Sequence, residues 1–396
     1  MVETQRNPGL AAFIALVLAV GIGNGLAHFG TSSMPFQVGA VMDGRHLSAT
    51  QGGIFGFFEV GSLALIMLVL SPVIDQFRPM RIGLAGAGLS CAAHLLMFVF
   101  DPGFPVLCTL AAAAGAGYGL LYAAVITGAS GSHNADRIYA LGSSATLLVI
   151  VLLMMTLPFA GQAFGPFGIF LGMSIILLFS SPFLIGFKGI APHVNLQQRG
   201  SVLRQGGAKP LLILWSLFSF GTGALWSFAE RIGRHIDLQP EAIGFILSAS
   251  TFCGLAGTFA AAMTAGRVNR LWAIAIGLVG SGVGCAILGV SASIVAYSLG
   301  VLLYWIFYMY LYAYLLGTAA ALDSAGRIGT AGGGCERLAF ALGAPVGGLV
   351  VDYSSYALLG IIAAALCIAA LPLCLPSLKA ALARSDEDNR KSAPTG

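Results

Sequence analysis

Apolar residues run through this chain in stretches of about twenty, separated by short polar loops. They follow neither the alternation of a half-buried strand nor the one-sided stripe of a soluble helix. A helix crossing about 30 Å of hydrocarbon needs roughly 20 apolar residues. Twelve such stretches are present: Leu10–Pro35, Ala49–Ile74, Ile82–Phe100, Pro105–Thr127, Ile138–Ala160, Phe167–Phe187, Pro210–Phe228, Pro240–Ala265, Leu271–Val290, Ile294–Leu322, Ile328–Val351 and Tyr356–Leu375. Helices are expected because a spanning backbone must satisfy its own hydrogen bonds. A barrel would read as strands of about 10 residues with alternating polarity. Residues 9–23 have the length of a signal-peptide core, but no A-x-A site follows and eleven further spans do.

Composition agrees. The chain has 396 residues, 58% of them hydrophobic and only 9% charged, against about 25% charged in an ordinary soluble domain. Mean hydropathy is +0.90. A soluble enzyme, a disordered chain and a basic nucleic-acid binder are excluded. With the N-terminus inside, fifteen Lys and Arg fall on the inner loops and tails and only Arg45, Arg231 and Arg234 on the outer ones. The expectation is that both termini are cytoplasmic, in the cytoplasmic membrane of a bacterium. All seven cysteines (Cys91, Cys108, Cys253, Cys285, Cys335, Cys367, Cys374) lie inside spans, where a thiol acts as a small apolar residue. No metal spacing, cofactor motif or P-loop is visible, so no cofactor or metal is expected.

The longest polar connection, from Lys188 to Lys209, has six spans before it and six after. The expected divisions are a bundle over 1–188, a loop over 189–209, a second bundle over 210–377 and a polar tail over 378–396 that is disordered. A shift of 191 residues lays LSATQGG (47–53) on LQPEAIG (238–244) and Gly86 on Gly277. A shift of 190 lays DRI (136–138) on GRI (326–328) and Gly142 on Gly332. These matches indicate a duplicated half. Helix starts are also legible: Ser48 and Gln51 form a capping box, and Pro240 suits a first helical position.

The loop between spans two and three reads SPVIDQFRPMR (71–81). It is similar to the G-x-x-x-D-R-x-G-R-R pattern of the major facilitator superfamily, keeping Asp75 and Arg81 but replacing the glycines and one Arg. The second-half copy, AMTAGRVNR (262–270), keeps Arg267 and Arg270 without the acid. Together with twelve spans, cytoplasmic termini, a long central loop and duplicated halves, the chain resembles that family over nearly its whole length. The resemblance implies an all-α membrane protein of two pseudo-symmetric six-helix bundles that rock about a central cavity. Spans one, four, seven and ten would line the cavity, and spans two and eleven would pack together at the bundle interface. It assigns gating to Asp75, Arg81, Arg137, Arg267, Arg270 and Arg327. Span five lacks a Gly-Pro pair and span four lacks an Arg, so the chain departs from the family's drug–proton antiporters.

Ionisable groups inside spans are costly and nominate function. Glu59 and Arg337 both fall near the midplane at about 1.5 Å of rise per residue, so a Glu59–Arg337 pair, or a network with Glu336, is expected. Glu59, Glu336 and His28 are the proton-coupling candidates. His94 is expected to bond a neighbouring helix, and Glu230 beside Arg231 to form an interfacial salt bridge. Solute-contact candidates on the lining spans are Asn24, His28, Tyr118, Tyr122, Trp226, Tyr304, Tyr308 and Arg337, with Trp215 also on span seven. Tyr304, Tyr308 and Tyr312 recur every four residues, whereas Tyr310 and Tyr314 occupy another face. Aromatic walls suit apolar, aromatic or cationic solutes, and Arg337 could instead hold a carboxylate.

The reading is a non-enzymatic secondary transporter of a small organic solute, an organic anion or an aromatic or amphipathic metabolite, driven by protons and working as a monomer in the lipid bilayer. The rivals are a proton-driven efflux pump for drugs or toxic metabolites, a passive facilitator and a transporter-like sensor. Nucleic acid is not an expected partner.

Overall fold

A computed structural model of the chain describes residues 10–70, 76–130, 135–190, 206–322 and 327–392. Among them, twelve helical segments are long and apolar enough to cross a membrane. Large apolar side chains face outward along these segments: Phe179 is 74% exposed, Trp272 70% and Phe259 66%. Only lipid tolerates such a surface, so the protein is a multi-pass integral membrane protein.

The first span is two helices, α1 (Leu10–Ala27) and α2 (Phe29–Arg45). The others are α3 (Ala49–Leu70), α4 (Pro79–Phe100), α5 (Phe104–Ser130), α6 (Ala135–Phe164) and α7 (Gly168–Ser180), which continues as a 3-10 helix over Ser181–Phe187. Then come α8 (Ala208–Trp226), the short α9 (Ala229–His235), α10 (Pro240–Thr264), α11 (Arg270–Gly289), α12 (Ile294–Leu322), α13 (Arg327–Tyr353) and α14 (Tyr356–Ser392).

Sequence pattern and structure part at two ends. The first span was expected to stop at Pro35, but α2 carries that proline inside and runs to Arg45. The break lies instead at His28, where the Asn24 carbonyl is shared between the His28 backbone N–H at 3.2 Å and the imidazole Nδ1 at 2.8 Å. The tail expected to be disordered from 378 is helical as far as Ser392. Leu378 is fully buried, and Ala381 lies against Gly207, so packing and good helix formers carry α14 on.

The capping box is formed: Gln51 Oε1 accepts from the Ser48 backbone N–H at 3.0 Å and Ser48 Oγ from the Gln51 N–H at 3.3 Å. Pro240 opens α10, with Glu241 in its first turn.

The chain divides into two compact units. Unit 1 is Met1–Ser33 with Ser62–Gln197, and unit 2 is Met34–Gly61 with Gln198–Gly396. In unit 1, α4 packs on α5 and α7, and α1 on α6, α5 and the 3-10 helix. In unit 2, α11 packs on α12 and α14, α8 on α13 and α14, and α10 on α12. Four of these recur six spans on: α4 on α5 and α7 as α11 on α12 and α14, and α1 on α6 and the 3-10 helix as α8 on α13 and α14, as a duplicated half requires.

The register agrees in detail. A methyl group at Gly86 would lie 2.9 Å from Leu120 Cβ, and one at Gly277 would lie 2.7 Å from Leu311 Cβ. Both members of the second contact stand 191 residues after those of the first. His46 and Asp237, also 191 apart, both take left-handed backbone (φ 52° and 59°) just before the next span.

These close approaches can be tested. Gly86→Val forces a branched side chain against α5 and is expected to destabilise by about 1–3 kcal/mol. Gly88→Ala, where an added methyl meets nothing within 4 Å, should leave the melting temperature unchanged. Thermal melts of the two detergent-purified variants check the contrast.

Candidate functional site

In unit 2 the first candidate site is built from α8, α12 and α13. Glu336 on α13 is 3% exposed, and its Oε1 accepts from Tyr308 Oη at 2.8 Å. Among the described residues its Oε2 has no hydrogen-bond partner. Aromatic rings surround the phenol: Phe218 at 5.0 Å, Trp305 and Tyr304 each at 5.7 Å, and Tyr312 stacked at 6.2 Å. Trp226 stacks on Tyr304 at 5.7 Å, and Trp215 meets Tyr312 edge-on at 5.6 Å. Tyr304, Tyr308 and Tyr312 thus form one face of α12. Tyr310 and Tyr314 form another, where the Tyr314 hydroxyl donates to Thr264 Oγ1 at 2.9 Å. Arg337 follows Glu336 on α13 and is half-buried.

A second buried acid, Glu59 on α3, is fully enclosed. Gln37 on α2, a residue the sequence analysis did not single out, donates Nε2–H to its Oε1 at 3.0 Å. The partner could not be read from the pattern because it depends on how α2 sits against α3.

In unit 1, Asn24 donates from Nδ2 to Thr146 Oγ1 at 3.4 Å, and Thr146 donates on to the Gly21 carbonyl at 2.7 Å. The His28 ring lies 5.3 Å from Tyr122, so these two candidates meet. Tyr118 is fully buried and packs on Phe29 and on His94 at 5.8 Å. His94 Nδ1 bonds its own helix, at the Ser90 carbonyl 2.7 Å away, and not a neighbour as expected. It touches other helices only through ring contacts with Tyr118 and Phe170.

The ionic cluster near Glu230 is larger than its sequence suggests. Asp43, at the end of α2, pairs with Arg231 at 2.8 Å and with Arg234 at 3.1 Å. Glu230 reaches the same two guanidiniums at 3.6 and 3.5 Å. Arg231 also donates to the Gly39 carbonyl. Nearby, Asp352 at the end of α13 caps α3, accepting from the Ala49 and Thr50 backbone N–H groups at 2.8 Å each and from Thr50 Oγ1 at 2.6 Å. A carboxylate on a helix N-terminus is favoured by the orphan donors and the helix dipole.

Of the gating candidates, Asp75 lies outside the described residues, as do the side chains of Arg137 and Arg327. Arg81 is exposed at the start of α4. Arg267 is exposed and donates to the Met263 carbonyl at 3.2 Å, and Arg270 opens α11 next to its Asn269 cap. All seven cysteines are free thiols, and no group of three or more metal-ligating side chains occurs among the described residues.

No family model matches the sequence, and no curated protein does. Solved structures do. The nucleoside transporter NupG aligns with a TM-score of 0.71 at 12% identity, over 92% of this chain and 99% of that one. The POT family transporter PepTSo gives 0.72 at 12% identity, over 97% and 99%. A bacterial homolog of the human lysosomal transporter Spinster gives 0.67 at 13% identity, over 97% and 98%. The chain therefore has the fold of major facilitator transporters, the one the sequence resemblance implied. These structural relatives are transporters and not enzymes.

Within this cluster the Glu230 carboxyl responds to pH near neutrality. Burial pushes the Glu230 carboxyl up to about 7 from 4.5; Arg231 and Arg234 oppose the rise, and Asp43 adds to it. The folded protein then holds this proton more tightly than the unfolded chain, so the group's stabilising contribution is complete below about pH 4.5 and is lost as pH rises to about 7. Glu230→Gln, which cannot ionise, should flatten the fall in melting temperature between pH 5 and pH 8. An unchanged slope would show that other groups set it.

Proposed function

We propose that the chain is a secondary active transporter that moves a small organic solute across the cytoplasmic membrane of a bacterium by alternating access, driven by protons. It acts as a monomer with both termini in the cytoplasm. The observation that carries this reading is a pair of acids buried in spanning helices and bonded by neutral groups, Glu59 by the Gln37 amide and Glu336 by the Tyr308 phenol.

A carboxylate held away from water is costly unless a cation or a proton joins it. A buried acid can therefore take and release a proton as its surroundings open and close. Glu59, on α3, is the proposed proton carrier. Arg337 would compete with the proton for it when the two approach, and His28 beside Tyr122 is a second titratable group on the proposed pathway. The halves 1–188 and 210–377, joined by 189–209, are the proposed moving bodies. The motif-matched Asp75 with Arg137 would close the cytoplasmic side, helped by Arg81, Arg267, Arg270 and Arg327.

Proteoliposomes with an imposed pH gradient and an internal pH dye test this. A transported solute should drive proton flux in the wild type. Glu59→Gln should abolish that flux while leaving solute exchange between equal pools. Solute movement that ignores both a protonophore and Glu59→Gln would mark a passive facilitator. Coupling between Glu59 and Arg337 predicts that Glu59→Gln with Arg337→Ala costs less than the sum of the single losses in flux. Strict additivity would rule their pairing out.

A further inference from the structure

Glu336 is buried among aromatic rings, and no Lys or Arg pairs with it among the described residues. Arg337, next along α13, is turned about 100° around the helix from it. On α8, the helix packed against α13, two more buried polar atoms lack a hydrogen bond among the described residues, Trp215 Nε1 and Ser219 Oγ, both on residues with no exposure. They lie one turn apart on α8, just as Gly332 and Glu336 lie one turn apart on α13.

The two helices run in register. Gly332 lies against the Trp215 ring, and two turns on, Gly223 lies against Phe340. Ser219 therefore stands level with Glu336, between those two contacts. One carboxylate oxygen and one hydroxyl face the same level, with an indole N–H a turn away and the rings of Phe218, Tyr308 and Tyr312 beside them.

We propose that this cluster in unit 2 binds the ammonium group of an arylalkylamine, with Glu336 Oε2 and Ser219 Oγ accepting its N–H groups and the aromatic side chains holding its ring. An ammonium carries three donors and no acceptor, which is the complement of these two atoms. Aromatic faces attract both a cation and a second ring. A carboxylate or phosphate in the same place would meet the like charge of Glu336. The Trp215 N–H is left to donate to a hydroxyl or ether oxygen on the solute. The proposal narrows the transporter reading, on which it rests for how solute reaches the cluster, to a class of cation. It departs from the organic anion that Arg337 alone suggested.

The test uses the full-length protein in detergent and three probes that share a ring: 2-phenylethylammonium, 3-phenylpropanoate and 2-phenylethanol. Calorimetric titration should show the ammonium binding at least about 10-fold tighter than the other two. Glu336→Gln should weaken the ammonium by about 10-fold or more and leave the alcohol unchanged. Phe218→Leu, which keeps the acid and removes a ring, should weaken ammonium and alcohol together, and it serves if Glu336→Gln fails to fold by its melting curve. Tighter binding of the propanoate, ammonium binding that ignores both variants, or no ammonium binding at millimolar concentration would each overturn the proposal. The proton-flux assay with Glu59→Gln is scored separately, so loss of the amine class and loss of the transporter reading are distinct results.

Discussion

Hydrocarbon offers no hydrogen-bond partner, so every polar group that enters the membrane must find one within the protein. Most hydroxyls here solve this locally by donating to a carbonyl one turn back. Ser33, Thr127, Ser174, Thr222, Ser227, Ser248, Thr251 and Thr318 all do so. Such bonds leave the helix self-contained. Side-chain pairs that bond across helices stand out against them, among them Gln37 to Glu59, Tyr308 to Glu336, Asn24 to Thr146 and Tyr314 to Thr264. Three of these four cross-links involve a residue nominated by its cost inside a span or its place on a lining helix.

What the sequence made legible follows from the same constraint. Span length and hydropathy report the cost of leaving lipid, so the spans, the Ser48–Gln51 cap, the Pro240 start and the duplicated register were readable one helix at a time. Partners were not, because Gln37, Thr146, Ser219 and Asp352 acquire their roles only from the depth and rotation of one helix against another. The break at His28 escaped for a different reason. Proline is the usual signal of a broken span, yet Pro35 is absorbed within α2, while a histidine that competes for its own helix carbonyl makes the break.

The two buried acids differ in their surroundings, and that difference separates their proposed roles. Glu59 accepts from an amide on a neighbouring helix. Glu336 is set among rings that offer a solute both contact area and π-faces. An amide partner suits a group that exchanges a proton. A phenol partner with an open carboxylate oxygen and a nearby hydroxyl favours a group that shares its charge with a molecule.

Duplication adds a constraint of its own at the Asp43 cluster. Asp43 pairs with Arg234, and Gly39 lies against Glu230. Each pair is separated by 191 residues, the shift that superposes the halves, so equivalent positions of the two copies meet each other. Where a repeated segment contacts its own copy about a two-fold, an unmodified duplicate would set like against like. Two aspartates would repel and two large side chains would collide. Here the copies have diverged in the sense that relieves both conflicts: acid faces base at one position, and glycine faces glutamate at the other. At Gly39 an added methyl would displace the Glu230 carboxylate, which here reaches Arg231 and Arg234. The cluster is therefore a product of symmetry and its breaking together, since neither half could form it alone and two identical halves could not form it either.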